Sequence, residues 1–169
     1  MNIAARSRGD DMRGLVQHLR ATGQLTAGLI LRALLSGNLE LFDHALAELS
    51  GLPQARVSAL LHDRGGASLQ ALLSRAGLPE STFAAFRIAL EVSHETGFVG
   101  SLGGAARLRR QMVERVLTHC ATDRRGAEPL LILLRRFATE SAREEARLFC
   151  DELMADDAVA PIQHELIAA

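Results

Sequence analysis

Apolar residues recur every three or four positions along most of the chain, which is the spacing of amphipathic α-helices. Leucine and alanine are abundant, valine and isoleucine are sparse, and sustained apolar/polar alternation with β-branched residues is missing. The pattern therefore predicts an all-α fold. We expect about eight helices, stacked as antiparallel hairpins in a repeat-like array.

Capping residues, glycines and prolines predict where these helices begin and end. Thr26 and Asn38 are suited to cap the second and third helices, whereas Pro53 and Pro79 open the fourth and sixth. The predicted helices span Asp11–Ala21, 27–35, 39–49, Pro53–His62, Ser68–Arg75, a run that begins at Pro79, Ala105–Ala121 and Pro129–Met154.

A short internal repeat supports the hairpin arrangement. Residues 50–53, Ser-Gly-Leu-Pro, recur 26 positions later as Ala-Gly-Leu-Pro at 76–79, and each copy stands between two predicted helices. A period of this size built from helix pairs is typical of stacked α-hairpins, although two copies fall short of the usual three.

We expect one domain over residues 1–155, followed by an acidic tail over residues 156–169. A chain of 169 residues fits a single domain of ordinary size. The segment Gly97–Gly104 contains four glycines, so it is the clearest hinge, between a six-helix front and a two-helix back. Pro161 interrupts the tail, which predicts a short frayed helix or no regular structure there.

Composition limits the chemistry that the chain can carry. All 19 basic residues are arginine, which excludes a phosphate-loop lysine and a Schiff-base lysine. Two cysteines are too few for a disulfide scaffold, and the first residues do not form the apolar run of a signal peptide. We therefore expect a cytoplasmic protein with reduced thiols and no membrane association.

The arginines are unevenly distributed. Between Arg107 and Arg147 ten arginines stand against six acidic residues, whereas the remaining sequence has nine arginines against fourteen acids. Such a basic bias favours an acidic partner. We expect a protein partner to contact the arginine-rich faces of the last two helices, through Arg109, Arg110, Arg135, Arg136, Arg143 and Arg147.

The last predicted helix, Pro129–Met154, is also the longest. Its predicted apolar stripe consists of Leu131, Leu134, Ala138, Ala142, Ala146, Phe149 and Leu153. The opposite face carries Arg136/Glu140 and Arg147/Asp151 at the spacing of helix-surface ion pairs. The stripe either closes the core or mediates self-association, so a homodimer through this helix is a second expectation.

The segment Ala45–Leu61 has the spacing of a helix-turn-helix motif. A glycine stands at the turn, and the second helix combines an apolar Val57 with Gln54, Arg56 and Ser58, polar residues that can reach base edges. Two observations disfavour nucleic acid: the Gly-Leu-Pro corner occurs twice, and only one arginine projects from the second helix. A DNA-binding regulator is therefore the alternative hypothesis.

The sequence offers no recognisable active site. None of the six histidines lies three or four residues from another, as a helical metal site requires. A Gly-x-Ser-x-Gly elbow is missing, and the glycine-rich segment follows a helix rather than a strand, which excludes a dinucleotide motif. We expect a protein without enzymatic activity, cofactor or metal.

Three runs of sequence resemble an uncharacterised family found largely in alphaproteobacteria, catalogued as domain of unknown function 2336. They are LTAGLILRALLSGNLELFDHALAELSGLPQARVSALLHDRGG, LLSRAGLPESTFAAFRIALEVSHETG and RRQMVERVLTH. The resemblance covers about residues 25–120 and extends more weakly to residue 154. It implies an all-α fold and no established activity, so it transfers no functional residues. Members often carry helical-repeat sequence before this region, so we expect a short version of the family.

Together these patterns favour a non-enzymatic helical module for protein interaction, with a regulatory role. The partner itself is not identified by any residue pattern.

Overall fold

The computed structural model of the chain describes residues 3–63, 66–96, 102–122 and 128–165. These ranges contain α-helices and one 3-10 turn but no strand, which confirms the predicted all-α fold. The α-helices in the described ranges are α1 Ile3–Ala21, α2 Ala27–Leu35, α3 Leu39–Ser50, α4 Gln54–His62, α5 Ala67–Arg75, α6 Phe83–Thr96, α7 Leu102–Thr122 and α8 Glu128–Glu165, and the 3-10 turn is Glu80–Thr82.

The helices α2 to α5 begin and end close to the predicted positions because local signals determine their ends. The Thr26 hydroxyl accepts a hydrogen bond from the Leu29 N–H, and the Asn38 side chain accepts one from the Leu41 N–H. These contacts satisfy backbone donors that the first helical turn leaves unpaired.

Both Gly-Leu-Pro corners turn at a left-handed glycine. Gly51 and Gly77 adopt φ angles of +68° and +73°, a left-handed conformation that favours glycine, and each ends a helix. The corners are also joined, since Arg75 Nε donates a hydrogen bond of 2.9 Å to the Ser50 carbonyl. The repeat thus corresponds to two connected helix corners.

Two helices are longer than predicted, by two turns or more. The first begins at Ile3 rather than Asp11, and α8 continues to Glu165 instead of ending near Met154. Pro161 removes one backbone donor from α8, but it lies within the last two turns, where few hydrogen bonds depend on it. Residues 156–165 are therefore helical and continuous with α8, rather than a separate short helix or an irregular segment.

The predicted hinge, Gly97–Gly104, overlaps the start of α7, which begins at Leu102. The rest of the predicted hinge, residues 97–101, lies outside the described residues, as do residues 166–169 of the predicted tail.

From α2 onward each helix packs against the next along the chain, while α1 packs against α3 and α6 returns onto α2. The rings of Phe42 in α3 and Phe86 in α6 are stacked with their centroids 6.1 Å apart, and both are fully buried. One buried apolar cluster extends from Ile30 in α2 to Phe137 in α8. The core thus ends partway along the last helix.

The last two helices form an antiparallel hairpin of unequal arms. Arg109 and Arg110 of α7 pair with Glu144 and Glu145 of α8, which fixes the register. At 1.5 Å per residue, α7 is about 32 Å long and α8 about 57 Å. In this register Leu102, where α7 begins, lies opposite the residues just past 150. The end of α8 therefore extends beyond α7.

Candidate interaction surface

The first half of α8, residues 128–141, belongs to the core. Leu130, Leu131, Leu134 and Phe137 are buried there, and Ser141 continues the buried face one turn further. Their spacing of three and four residues places them on one side of the helix, against α7 and α2.

We divide residues 128–155 of α8 into two halves, and the second half, residues 142–155, is largely exposed. Phe149 is 60% exposed and Met154 74%, and Leu153 is exposed as well. Four of the six large apolar side chains that are exposed in the described part of the chain lie on α8, the fourth being Ile132. This concentration on one helix is typical of an interaction surface rather than scattered surface leucines.

The predicted apolar stripe of α8 does not close the core along its whole length. Leu134 is buried, whereas Ala142, Ala146, Phe149 and Leu153 are exposed, so the core-closing alternative fails for these four residues. At about 100° per residue, they lie about 110° around the helix axis from the buried face. They form a second apolar face, which we call the α8 seam: Ala142, Ala146, Phe149 and Leu153.

Two of the six predicted contact arginines instead connect α7 to α8. The guanidinium of Arg109 pairs with Glu144, and Arg110 donates hydrogen bonds of 2.8 Å to both Glu114 and Glu145. The hydrogen bonds to Glu114 and Glu145 raise the pKa of Arg110 above its ordinary value. These two arginines hold the hairpin together.

Arg136 is also engaged within the molecule. Its Nε lies 3.2 Å from Glu140, which confirms the predicted pair one turn apart. The other oxygen of Glu140 lies 3.0 Å from Arg32, whose guanidinium stands 5.1 Å from the centroid of the Phe137 ring. This exposed network connects α2 to α8 across the edge of the core.

The other three predicted contact residues, Arg135, Arg143 and Arg147, are exposed, and no carboxylate among the described residues pairs with them. The predicted Arg147–Asp151 pair does not form, although both residues are described. Arg143 and Arg147 lie one turn apart on the same face. We call these three residues the free arginines of α8: Arg135, Arg143 and Arg147.

The helix-turn-helix candidate places its residues on different sides of α4. Val57 is buried, as expected, but Arg56 lies about 160° around the axis from Gln54. Gln54 Nε2 lies 3.2 Å from His44 Nε2, and Ser58 is half-buried. The structure therefore does not bring Gln54, Arg56 and Ser58 onto one surface.

A cleft of about 290 Å³ lies between the end of α4, the start of α5 and α6. Its lining combines apolar and charged side chains: Leu61, Asp63, Gly66, Leu69, Arg87, Leu90, Glu91, His94 and Glu95. On its rim Arg87 pairs with Glu91, and Glu95 pairs with Arg115 of α7. Most of the rim charges are thus already balanced.

Two histidines beside this cleft come together in a way that sequence spacing does not reveal. The rings of His62 and His94 are stacked with centroids 5.8 Å apart, although they lie 32 positions apart in sequence. Burial raises the pKa of the nearby Asp43 carboxyl, and His62 and His44 oppose that effect. Within the described ranges, no group of three or more His, Cys, Asp or Glu side chains could hold a metal ion.

Comparison with known proteins identifies a family without assigning an activity. A family model described as "Uncharacterised protein conserved in bacteria (DUF2336)" matches residues 1–126. No curated protein and no solved structure matches the chain. The matched region includes α1 to α7 and ends before α8, so the free arginines and the α8 seam lie outside it. None of the described helices is long and apolar enough to cross a lipid bilayer.

Proposed function

The chain belongs to the DUF2336 family of uncharacterised bacterial proteins, and we propose that it is a non-enzymatic protein-interaction module with a regulatory role. The observation that carries this proposal is the exposed second half of α8, where free arginines stand beside an apolar face. The first half of the same helix is buried in the core, so the surface is presented on a rigid support.

The composition of this surface is that of a protein interface. Arginine, methionine and aromatic residues are enriched where proteins bind one another. The second half of α8 exposes Arg143, Arg147 and Met154 on one side of the helix and Phe149 on another. An apolar side chain supplies buried area, and a neighbouring guanidinium supplies directed hydrogen bonds.

The proposed partner presents carboxylates. A guanidinium binds a carboxylate through two parallel hydrogen bonds, a geometry that lysine cannot reproduce. The glutamates of α8 nearest to the free arginines, Glu140, Glu144 and Glu145, are already paired with Arg32, Arg136, Arg109 and Arg110. An acidic protein surface would therefore supply carboxylates for the free arginines, which no described residue of the chain supplies.

A capture experiment tests this proposal. The tagged protein is used to capture partners from nuclease-treated bacterial lysate, and it is compared with a variant that combines Arg135→Ser, Arg143→Ser and Arg147→Ser. The matched control combines Arg13→Ser with Arg56→Ser, since both side chains are exposed and unpaired among the described residues. We expect the triple variant to lose its partner and the control to keep it.

Raising the salt concentration should weaken capture by the wild type, because exposed charge pairs are screened. If the triple variant captures the same protein as the wild type, the free arginines are not the contact surface and the proposal is wrong.

A DNA-binding regulator is the alternative, and the same protein tests it. DNA binding through α4 should weaken steeply between about 50 and 200 mM salt, because phosphate contacts release counterions. It should also weaken with Arg56→Ala, while the triple variant of α8 should bind DNA as well as the wild type. A flat salt response, or unchanged binding by Arg56→Ala, excludes this alternative.

A further inference from the structure

We propose that two copies of the chain associate through the α8 seam, with their α8 helices packed antiparallel. This inference rests on the proposed function, since it takes α8 to be the contact element, and it assigns the apolar part of that surface to a second copy. Arg143 and Arg147 lie about 90–130° around the helix axis from the seam, and Arg135 lies two turns before it.

The spacing of the seam is that of a helix that packs along another helix. Ala142, Ala146, Phe149 and Leu153 follow one another at intervals of four, three and four residues, as the a and d positions of a coiled coil do. In the single chain all four are exposed, because α7 packs on a different face of α8. The seam is therefore a complete packing face without a partner helix.

The sizes of the seam side chains favour the antiparallel arrangement. If the two helices cross at a two-fold axis between residues 147 and 148, Phe149 packs against the partner's Ala146, and Leu153 against the partner's Ala142. Each large side chain then faces a small one, as closely packed layers require. A parallel pair would instead place Phe149 against its own copy and Ala146 against its own copy.

The charges along α8 favour the same arrangement. The stretch 135–147 contains four arginines and three glutamates, a net charge of +1, whereas residues 148–165 contain five acidic residues and no arginine. An antiparallel pair places the basic stretch of one copy along the acidic stretch of the other. A parallel pair would align like charges, which is unfavourable. The contact is also isologous, so it closes as a dimer and does not propagate.

Light scattering tests the association. We expect the wild type to have twice the monomer mass of 18.2 kDa at high concentration. Ala146→Arg introduces a charge into the seam, and Phe149→Ala removes a large side chain; we expect each to weaken dimerisation about tenfold or more. Both positions are exposed in the single chain, so folding should be unaffected.

The matched control is Ala71→Arg, which places the same charge at an exposed alanine of α5 and should leave the dimer intact. A wild type that is monomeric at the highest concentration reached overturns the inference, and so does an Ala146→Arg variant that is still dimeric.

Chemical cross-linking tests the orientation. Cys150 is exposed beside the seam, whereas Cys120 is buried. In the antiparallel dimer the two Cys150 positions are about 7.5 Å apart along the axis, within reach of a short bis-maleimide. In a variant with Thr139→Cys and Cys150→Ser, the two introduced thiols are about 25 Å apart and should not react together.

A parallel dimer would cross-link at both positions, and that result overturns the proposed orientation. The capture experiment separates this inference from the proposed function. A wild type that is monomeric but still captures a partner through the free arginines overturns only the dimer. A dimer whose triple variant captures the same partner as the wild type overturns only the proposed function.

Discussion

The two halves of α8 both carry apolar residues at helical spacing, but those of the first half are buried and those of the second half are exposed. Residues 128–141 contain leucines and a phenylalanine at helical spacing, and these are buried. Residues 142–155 contain alanines, a phenylalanine and a leucine at the same kind of spacing, and these are exposed. The difference comes from the neighbour: α7 and α2 cover one face of the first half, and nothing among the described residues covers the seam.

This contrast shows that apolar periodicity predicts which face of a helix can pack. It does not predict whether a helix of the same chain or a second molecule packs there. The periodic stripe of α8 turns gradually around the helix, and only its first part coincides with the face that meets α7. A stripe that leaves the core yet continues for three further turns is a surface that a second molecule can use.

The largest expected effect contrasts the two phenylalanines of α8. Phe137 is 6% exposed and Phe149 60% exposed. We expect Phe137→Ala to lower the free energy of unfolding by about 3–5 kcal/mol, since it leaves a cavity and removes the ring beneath Arg32. We expect Phe149→Ala to change it by no more than about 0.5 kcal/mol. Urea denaturation at low protein concentration, where the chain is monomeric, measures both.

The leucine pair provides a control for aromatic effects. Leu134→Ala, at a fully buried position, should cost about 2–5 kcal/mol, whereas Leu153→Ala should cost almost nothing in the monomer. If Phe149→Ala and Leu153→Ala destabilise the monomer as much as their buried counterparts, the second half of α8 is part of the core after all.

A smaller effect is expected from the ion pairs that hold the hairpin. A double-mutant cycle with Arg110→Ala and Glu145→Ala should give a small favourable coupling energy, because the pair is exposed to water. The coupling should decrease in high salt. A coupling of zero at low salt would mean that this pair does not help to attach α8 to α7.

The smallest effect on stability is expected at the free arginines. Arg143→Ala and Arg147→Ala should leave the free energy of unfolding unchanged within about 0.5 kcal/mol, since no described carboxylate pairs with either side chain. Thermal denaturation measures this. A marked decrease in the free energy of unfolding would show that these arginines stabilise the fold, which contradicts their assignment as unpaired partner-binding residues.

Sequence patterns predicted the features that depend on near neighbours. The ends of α2 and α3 followed from Thr26, Asn38 and Gly51, because caps and left-handed glycines act within one helical turn. The Arg136–Glu140 pair followed from its spacing. The sequence did not predict that α8 continues through Pro161. A proline destabilises a helix at its position but does not always end it.

The features that the sequence missed depend on the register between distant segments. Arg109 was expected to face a partner, but it pairs with Glu144, 35 positions away, and only the alignment of α7 with α8 reveals this. His62 and His94 meet for the same kind of reason. The exposure of the seam follows from the face on which α7 packs, which α8 alone does not specify.

Amide hydrogen exchange along α8, measured at low and at high protein concentration, tests most directly whether a second copy covers the α8 seam. Residues 130–141 should be protected to the same extent at both concentrations, because the core of each chain covers them. Residues 142–155 should exchange faster at low concentration and become protected at high concentration, as the second copy covers the seam. Equal exchange rates of residues 142–155 at both concentrations would contradict dimerisation through the α8 seam.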